Sequence, residues 1–110
     1  MDNNFEVILC IVNSGFADEV MAAAREVGAR GGTIINARGT AREEAEKAFG
    51  ISIHPEKEIV MIISAIDIKD SILDAINKRV GLQTPGQGIV FSLPVTDVVG
   101  FKKTKTTEEE

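Results

Sequence analysis

Phe5-Glu6-Val7-Ile8-Leu9-Cys10-Ile11-Val12 is apolar at every position from Val7 to Val12, and Glu58-Ile59-Val60-Met61-Ile62-Ile63 is so from Ile59 to Ile63. Both runs are short and rich in β-branched residues, which predicts strands. An antiparallel strand with one wet face alternates apolar and polar residues. These runs do not alternate, so both faces of the strands need cover. The two runs also belong to a repeat. A shift of 53 residues sets Val7–Val12 over Val60–Ala65, Val20 over Leu73, Val27 over Val80 and Gly28 over Gly81.

Working outward, Asn13-Ser14-Gly15 reads as a turn with Ser14 as helix cap. Phe16, Val20, Ala23, Ala24 and Val27 follow at helical spacing, and Gly28 is the stop. A second strand is expected over Gly31–Arg38. After the third strand, Asp67 can cap a helix with the apolar stripe Ile68, Ile72, Leu73, Ile76 and Val80, closed by Gly81. Ile89–Val95 is the fourth strand, and Val98-Val99 a short piece after it. Two βαβ halves of this size predict an α+β fold, a ferredoxin-like double βαβ with an antiparallel four-stranded sheet and both helices on one face. Such helices leave the other sheet face bare. Exposed apolar strands invite aggregation, so the expected solution is a second copy of the same sheet, an obligate homo-oligomer. The domain spans residues 1–101, with a loop over 39–56 between strands two and three; residues 102–110 are too polar to pack and are expected to be a flexible tail. Within the loop, Thr40-Ala41-Arg42-Glu43 fits a capping box and Glu43 pairs with Lys47, so a short helix over Thr40–Phe49 is expected. Phe49, Ile51 and Ile53 at its distal end are candidate partner contacts.

Composition excludes several function classes. The 110 residues carry a net charge of −5, which disfavours nucleic acid and anionic membranes. Trp and Tyr are absent and the five Phe are scattered, so there is no base-stacking platform. Met1-Asp2-Asn3-Asn4 lacks a basic signal start and Val7–Val12 is too short to cross a bilayer. With one cysteine, Cys10, inside an apolar run, the expectation is a cytoplasmic protein without disulfides. His54, the only histidine, has no partners at metal-ligand spacing, and Ser14 and Ser92 have no His or Asp nearby to activate them. No carboxylate pair sits in an apolar setting. The expectation is a protein that is not an enzyme and uses no catalytic cofactor.

Two glycine turns stand apart from the core pattern: Gly28-Ala29-Arg30-Gly31-Gly32-Thr33 and Thr84-Pro85-Gly86-Gln87-Gly88. Glycines let backbone N–H groups approach a ligand, so the pair can line a phosphate-sized cleft. They match neither a P-loop nor a dinucleotide fingerprint. The stretches Glu26–Thr33 through Arg38-Gly39, Pro85–Gly88 before Ile89-Val90-Phe91, and Pro94–Val99 together resemble the PII signalling proteins and their PII-like relatives, in order and spacing, from Phe5 to Phe101. The resemblance implies a homotrimer that binds an adenine nucleotide (AMP, ADP or ATP) between subunits and signals to a membrane transporter or a metabolic enzyme.

Carried over by position, it puts Gly31 and Thr33 near the adenine, and Arg38, Gly39 and Thr40 along the phosphates. Gly86, Gln87 and Gly88 would form a backbone N–H cradle, with Lys102 near the phosphate tail. A methyl group at Gly88 is then expected to intrude on the ligand. The departures are Ile89 where the family commonly has lysine, Gln87 in place of an acidic residue, and Gly100 in place of arginine. A charge-assisted contact is worth roughly 1.5–3 kcal/mol, so losing two weakens triphosphate binding and turns the expectation towards AMP or ADP. With no tyrosine in the chain, control by uridylylation of a loop tyrosine is excluded. The alternatives are a sensor of another small metabolite or anion on the same scaffold, and a constitutive interaction module.

Overall fold

The computed structural model describes residues 4–101. Its elements run β1 (Phe5–Asn13), α1 (Ala17–Glu26), β2 (Thr33–Arg38), α2 (Glu43–Phe49), β3 (Glu56–Ala65), α3 (Ile66–Val80) and β4 (Ile89–Pro94). The four strands form one sheet in the order β2-β3-β1-β4, with every neighbouring pair antiparallel. This is the expected ferredoxin-like double βαβ. Strand β2 begins at Thr33 rather than Gly31, β3 extends two residues beyond each end of the expected span, and β4 stops at Pro94.

Helices α1 and α3 lie together on one face. Beneath them Ile8, Cys10 and Val12 of β1 and Val60 and Ile62 of β3 are fully buried against Val20, Ala24, Ile72, Ile76 and Val80. Each aliphatic side chain removed from water in this way contributes ~1.5–3 kcal/mol. The opposite parity forms the other face. Register sets Leu93, Val7 and Ile63 in one row, Phe91, Leu9, Met61 and Thr33 in the next, and Ile89, Ile11, Ile59 and Ile35 in a third. Among the described residues nothing covers these rows, and at the rims Ile89 is 56% and Leu93 48% exposed. The helices thus cover one sheet face and leave the other apolar and bare.

The helix caps differ from expectation. Ser14 does not cap α1. The carboxylate of Glu58 on β3 does so, its Oε1 accepting the Gly15 N–H at 3.0 Å and the Ala17 N–H at 3.1 Å. A neighbouring strand therefore satisfies donors that a local serine was expected to take. Asp67 is not the cap of α3 either; the helix starts at Ile66 after an extended Ala65, and Asp67 lies in its first turn. Gly28 ends α1 with φ +112°, as a left-handed stop requires, whereas Gly81 has an ordinary φ of −69°. What Gly81 supplies is room, because a Cβ there would collide with the Asn77 carbonyl. Gly88 bridges to Gly81 and is just as confined: a Cβ on it would lie 2.5 Å from the Val80 carbonyl oxygen and 3.0 Å from Val12 Cγ1. These are interior atoms. The expectation that a methyl group at Gly88 would meet a ligand is corrected, since it would meet α3.

Glu58→Ala should lower stability by about 1 kcal/mol in urea denaturation through loss of the α1 cap, with Ser14→Ala within about 0.5 kcal/mol of wild type. Gly88→Ala should cost ~1–3 kcal/mol by overpacking, visible as a lower melting temperature without any ligand present. Burial pushes the Cys10 thiol from its ordinary 9.0 up to about 11. The native protein should not react with Ellman's reagent at about pH 8, while the denatured chain should. Above the unfolded thiol's pKa the unfolded chain releases a proton that the folded one keeps. Stability should therefore fall as pH rises from about 9 towards 11.

Candidate functional site

One end of the sheet gathers four features: the last residue of β2, Arg38; the first of β3, Glu56; the last of β1, Asn13; and the turn that leads into β4. Beyond Arg38 the β2–β3 pairing continues as an arm, with the Gly39 N–H donating to the Pro55 carbonyl at 2.8 Å and the Ala41 N–H to that of Ile53 at 3.1 Å. These bonds hold residues 39–41 extended, so the capping box expected at Thr40 does not form. Helix α2 starts at Glu43 after an extended Arg42, without a side-chain cap. Glu46 Oε2 instead reaches back to the Ile53 N–H at 2.8 Å and pins the short helix to the returning limb. Glu43 and Lys47 do approach, at 3.7 Å, as largely exposed partners. His54 lies on the returning limb beside the Gly39 carbonyl. No residue of α2 is buried, and Phe49 and Ile51 at its end are 72% and 62% exposed.

At the base of the arm an open polar groove of about 600 Å³ is lined by Ser14, Asn36, Arg38, Glu56 and Lys57. Arg38 is exposed and forms no ion pair with another described residue. Thr40 is exposed and Gly39 half-buried against the Lys57 stem.

In the turn before β4, Gln87 is exposed while Gly86 and Gly88 are buried. The Gln87 N–H donates to the Thr84 carbonyl at 3.0 Å, and the Gly88 N–H to that of Val80 at 2.7 Å. Two of the three donors expected to cradle phosphate are thus committed inside the chain. Gly86 sits against the Phe16 ring and Val80, with 3.3 Å of clearance for a Cβ, so its glycine requirement is also one of space. Gln87 holds φ +49°, a left-handed conformation that costs a non-glycine residue roughly 1–2 kcal/mol. It presents its side chain at the apex of the turn.

Gly31 and Thr33 do not join this group. Thr33 opens β2 opposite Met61 on the bare face, and Gly31 precedes it in open space. Four strand residues, five steps of the chain, separate Thr33 from Arg38, about 17 Å. Within one chain the candidate residues therefore form two sets, Arg38, Gly39, Thr40 and the 86–88 turn at one end, and Gly31 with Thr33 farther along β2. Lys102 lies outside the described residues.

Next to the Gly28–Arg30 segment a cavity of about 230 Å³ is lined by Phe5, Arg30, Ile63, Asp67, Ile68 and Phe101. The Phe5 and Phe101 rings meet edge to face at 5.1 Å, and the Arg30 guanidinium stands 5.8 Å over Phe101. Asn13 and Lys57, which are not among the candidates read from the sequence, stand between the 84–88 turn and Gly39 at the start of the arm. Their signal was a parity one. They stand at the polar end of the otherwise apolar series Val7, Leu9, Ile11 and Ile59, Met61, Ile63.

Among the described residues no helix is long and apolar enough to cross a membrane, and no group of three His, Cys, Asp or Glu is placed to hold a metal. The model of the family "Nitrogen regulatory protein P-II" matches residues 5–105. The nitrogen regulatory protein GlnK2 of Haloferax mediterranei is 25% identical over 114 aligned positions, covering 96% of this chain and 89% of that protein. Among solved structures, Arabidopsis thaliana PII bound to citrate is 26% identical with a TM-score of 0.67, covering 89% of this chain and 83% of its own. A Bacillus subtilis GlnK–ATP complex superposes with a TM-score of 0.68 at 14% identity, over 87% of this chain and 85% of its own; at that identity it speaks for the fold alone. A match over nearly the whole chain, on a sheet of the same topology, identifies this protein as a member of the nitrogen regulatory P-II family of signal transducers.

Proposed function

We propose that the protein is a homotrimeric PII-type regulator that takes an adenine nucleotide between neighbouring subunits and passes its occupancy to a target protein through the arm at 39–56. One observation carries this reading: the two sets of candidate residues lie apart in a single chain while an entire apolar sheet face stands uncovered. Covering that face with copies of itself brings the Gly31–Thr33 wall of one subunit towards the Arg38–Thr40 and 86–88 walls of another. The apolar gain and the completed cleft then come from the same association.

Arg38 is the cation proposed to meet phosphate, with Gly39, Thr40 and the exposed Gln87 beside it and Lys102 arriving from the chain that follows Phe101. With Ile89 and Gly100 at two positions where the family commonly has basic residues, and the Gln87 and Gly88 amides already engaged, the site favours AMP or ADP over ATP. The fold neighbour B. subtilis GlnK was solved with ATP, so a scaffold of this shape admits a nucleotide. A second reading, a carboxylate anion in the Arg38–Lys57 groove, draws on the citrate-bound Arabidopsis relative. The target is proposed to be a membrane transporter or a metabolic enzyme, touched through Phe49 and Ile51 at the exposed end of the arm.

Native mass measurement should give three chains per particle, and calorimetric titration with AMP, ADP and ATP should give one site per chain. Arg38→Ala should weaken the bound nucleotide about 10- to 100-fold, the size of one charge-assisted contact, without lowering thermal stability in its absence. A well-folded single subunit in dilute solution, or no heat with any of the three, would overturn the reading. Heat with citrate alone would select the anion alternative.

A further inference from the structure

We propose that Asn13 is a positioning residue that ties the glycine turn at 84–88 to the base of the arm, so that displacement of one is transmitted to the other. The inference rests on reading the turn and the arm as parts of one regulatory site. It starts from where strand pairing ends. The β1–β4 ladder closes at Ile11–Ile89, whereas β1–β3 pairing runs on to Asn13–Lys57. Past that point, among the described residues, the hydrogen bonds from the turn to the sheet run through Asn13. Its backbone N–H donates to the Gly86 carbonyl at 2.9 Å, and its side-chain Nδ2 to the Pro85 carbonyl at 2.9 Å. Its Oδ1 accepts from Lys57 Nζ at 2.7 Å.

The chemistry permits a single orientation of this amide. An ammonium only donates and a carbonyl only accepts, so Oδ1 must face Lys57 and Nδ2 must face Pro85. Lys57 carries the link onward. Its stem runs under Gly39, where a Cβ would meet Lys57 Cε at 3.4 Å and Cγ at 3.6 Å. The next backbone amide, Ser14 N–H, donates to the Glu56 carbonyl at 3.2 Å. The sequence Gly39, Lys57, Asn13, Pro85-Gly86 thus spans the sheet end from the first residue of the arm to the turn. An aspartate at position 13 would keep Lys57 but set a carboxylate against the Pro85 oxygen. A methionine at 57 would keep the stem under Gly39 and drop the hydrogen bond.

Hydrogen exchange on the full chain tests this, first without ligand and then with saturating ADP or ATP, in wild type, Asn13→Asp and Lys57→Met. Without ligand, Lys57→Met should speed exchange in the turn on the far side of β1 by about 2- to 10-fold, the size of one hydrogen bond. Asn13→Asp should speed the turn and leave 39–55 as in wild type. With nucleotide, wild type should slow in both segments, and both variants should respond in one segment only. The positioning role is overturned if Lys57→Met leaves the turn unchanged without ligand, or if both segments answer nucleotide equally in the variants and in wild type. If wild type binds neither nucleotide yet Lys57→Met speeds the ligand-free turn, the nucleotide reading falls and the role of Asn13 stands. Should Asn13→Asp not fold, Lys57→Met, on a solvent-reaching side chain, decides alone.

Discussion

Strands β1 and β3 carry apolar side chains on both faces, and the helices among the described residues cover only one of them. Every other feature follows from this imbalance. On the helix side Ile8, Cys10, Val12, Val60 and Ile62 meet α1 and α3 and form a dry core in which a thiol holds its proton well above the ordinary range. On the other side three rows of aliphatic and aromatic side chains end in water. A face of that kind is costly to leave in water, and Thr33 at the β2 edge is the one polar side chain in its three rows.

The apolar rows stop at a polar one. Asn13 and Lys57 occupy the positions that would continue Ile11 and Ile59, and they face the glycine turn on one side and the start of the arm on the other. Where the hydrophobic surface ends, the hydrogen-bonded linkage begins. This division of labour is physical: apolar rows supply non-directional attraction, while amide and ammonium groups fix the relative placement of the segments they bridge. In the proposed trimer the ligand cleft lies at that boundary, close enough to the subunit interface to be completed by a neighbour and close enough to the arm to displace it.

The glycines separate into kinds that a sequence cannot distinguish. Gly28 is required by its backbone angle, whereas Gly81, Gly86 and Gly88 are required by the closeness of α3 and Phe16. A turn that looks open for a ligand is in large part pressed against the interior, with the Gln87 and Gly88 amides already bonded. What this turn offers outward is Gln87, held in a left-handed conformation at its apex. Arg38 takes on correspondingly more of the proposed anion contact.

The strands, both long helices and the surplus of apolar surface were legible from residues alone, because periodicity and β-branching are local properties that burial then exploits. So was the family, through the order and spacing of Glu26–Thr33 through Arg38-Gly39, Pro85–Gly88 before Ile89-Val90-Phe91, and Pro94–Val99. The caps were not. Glu58 reaches α1 from a strand more than forty positions away, and the arm's ladder between Gly39 and Pro55 overrides a well-formed capping signal at Thr40. Nor was the role of Asn13, which resembles any turn asparagine until Lys57 and Pro85 arrive on either side of it. Local pattern determined which segments are strand or helix and which of their faces are apolar, since each depends on neighbours in the chain. Tertiary structure alone decided which donors remain free and which segments are joined, since those depend on groups that only folding brings within hydrogen-bond distance.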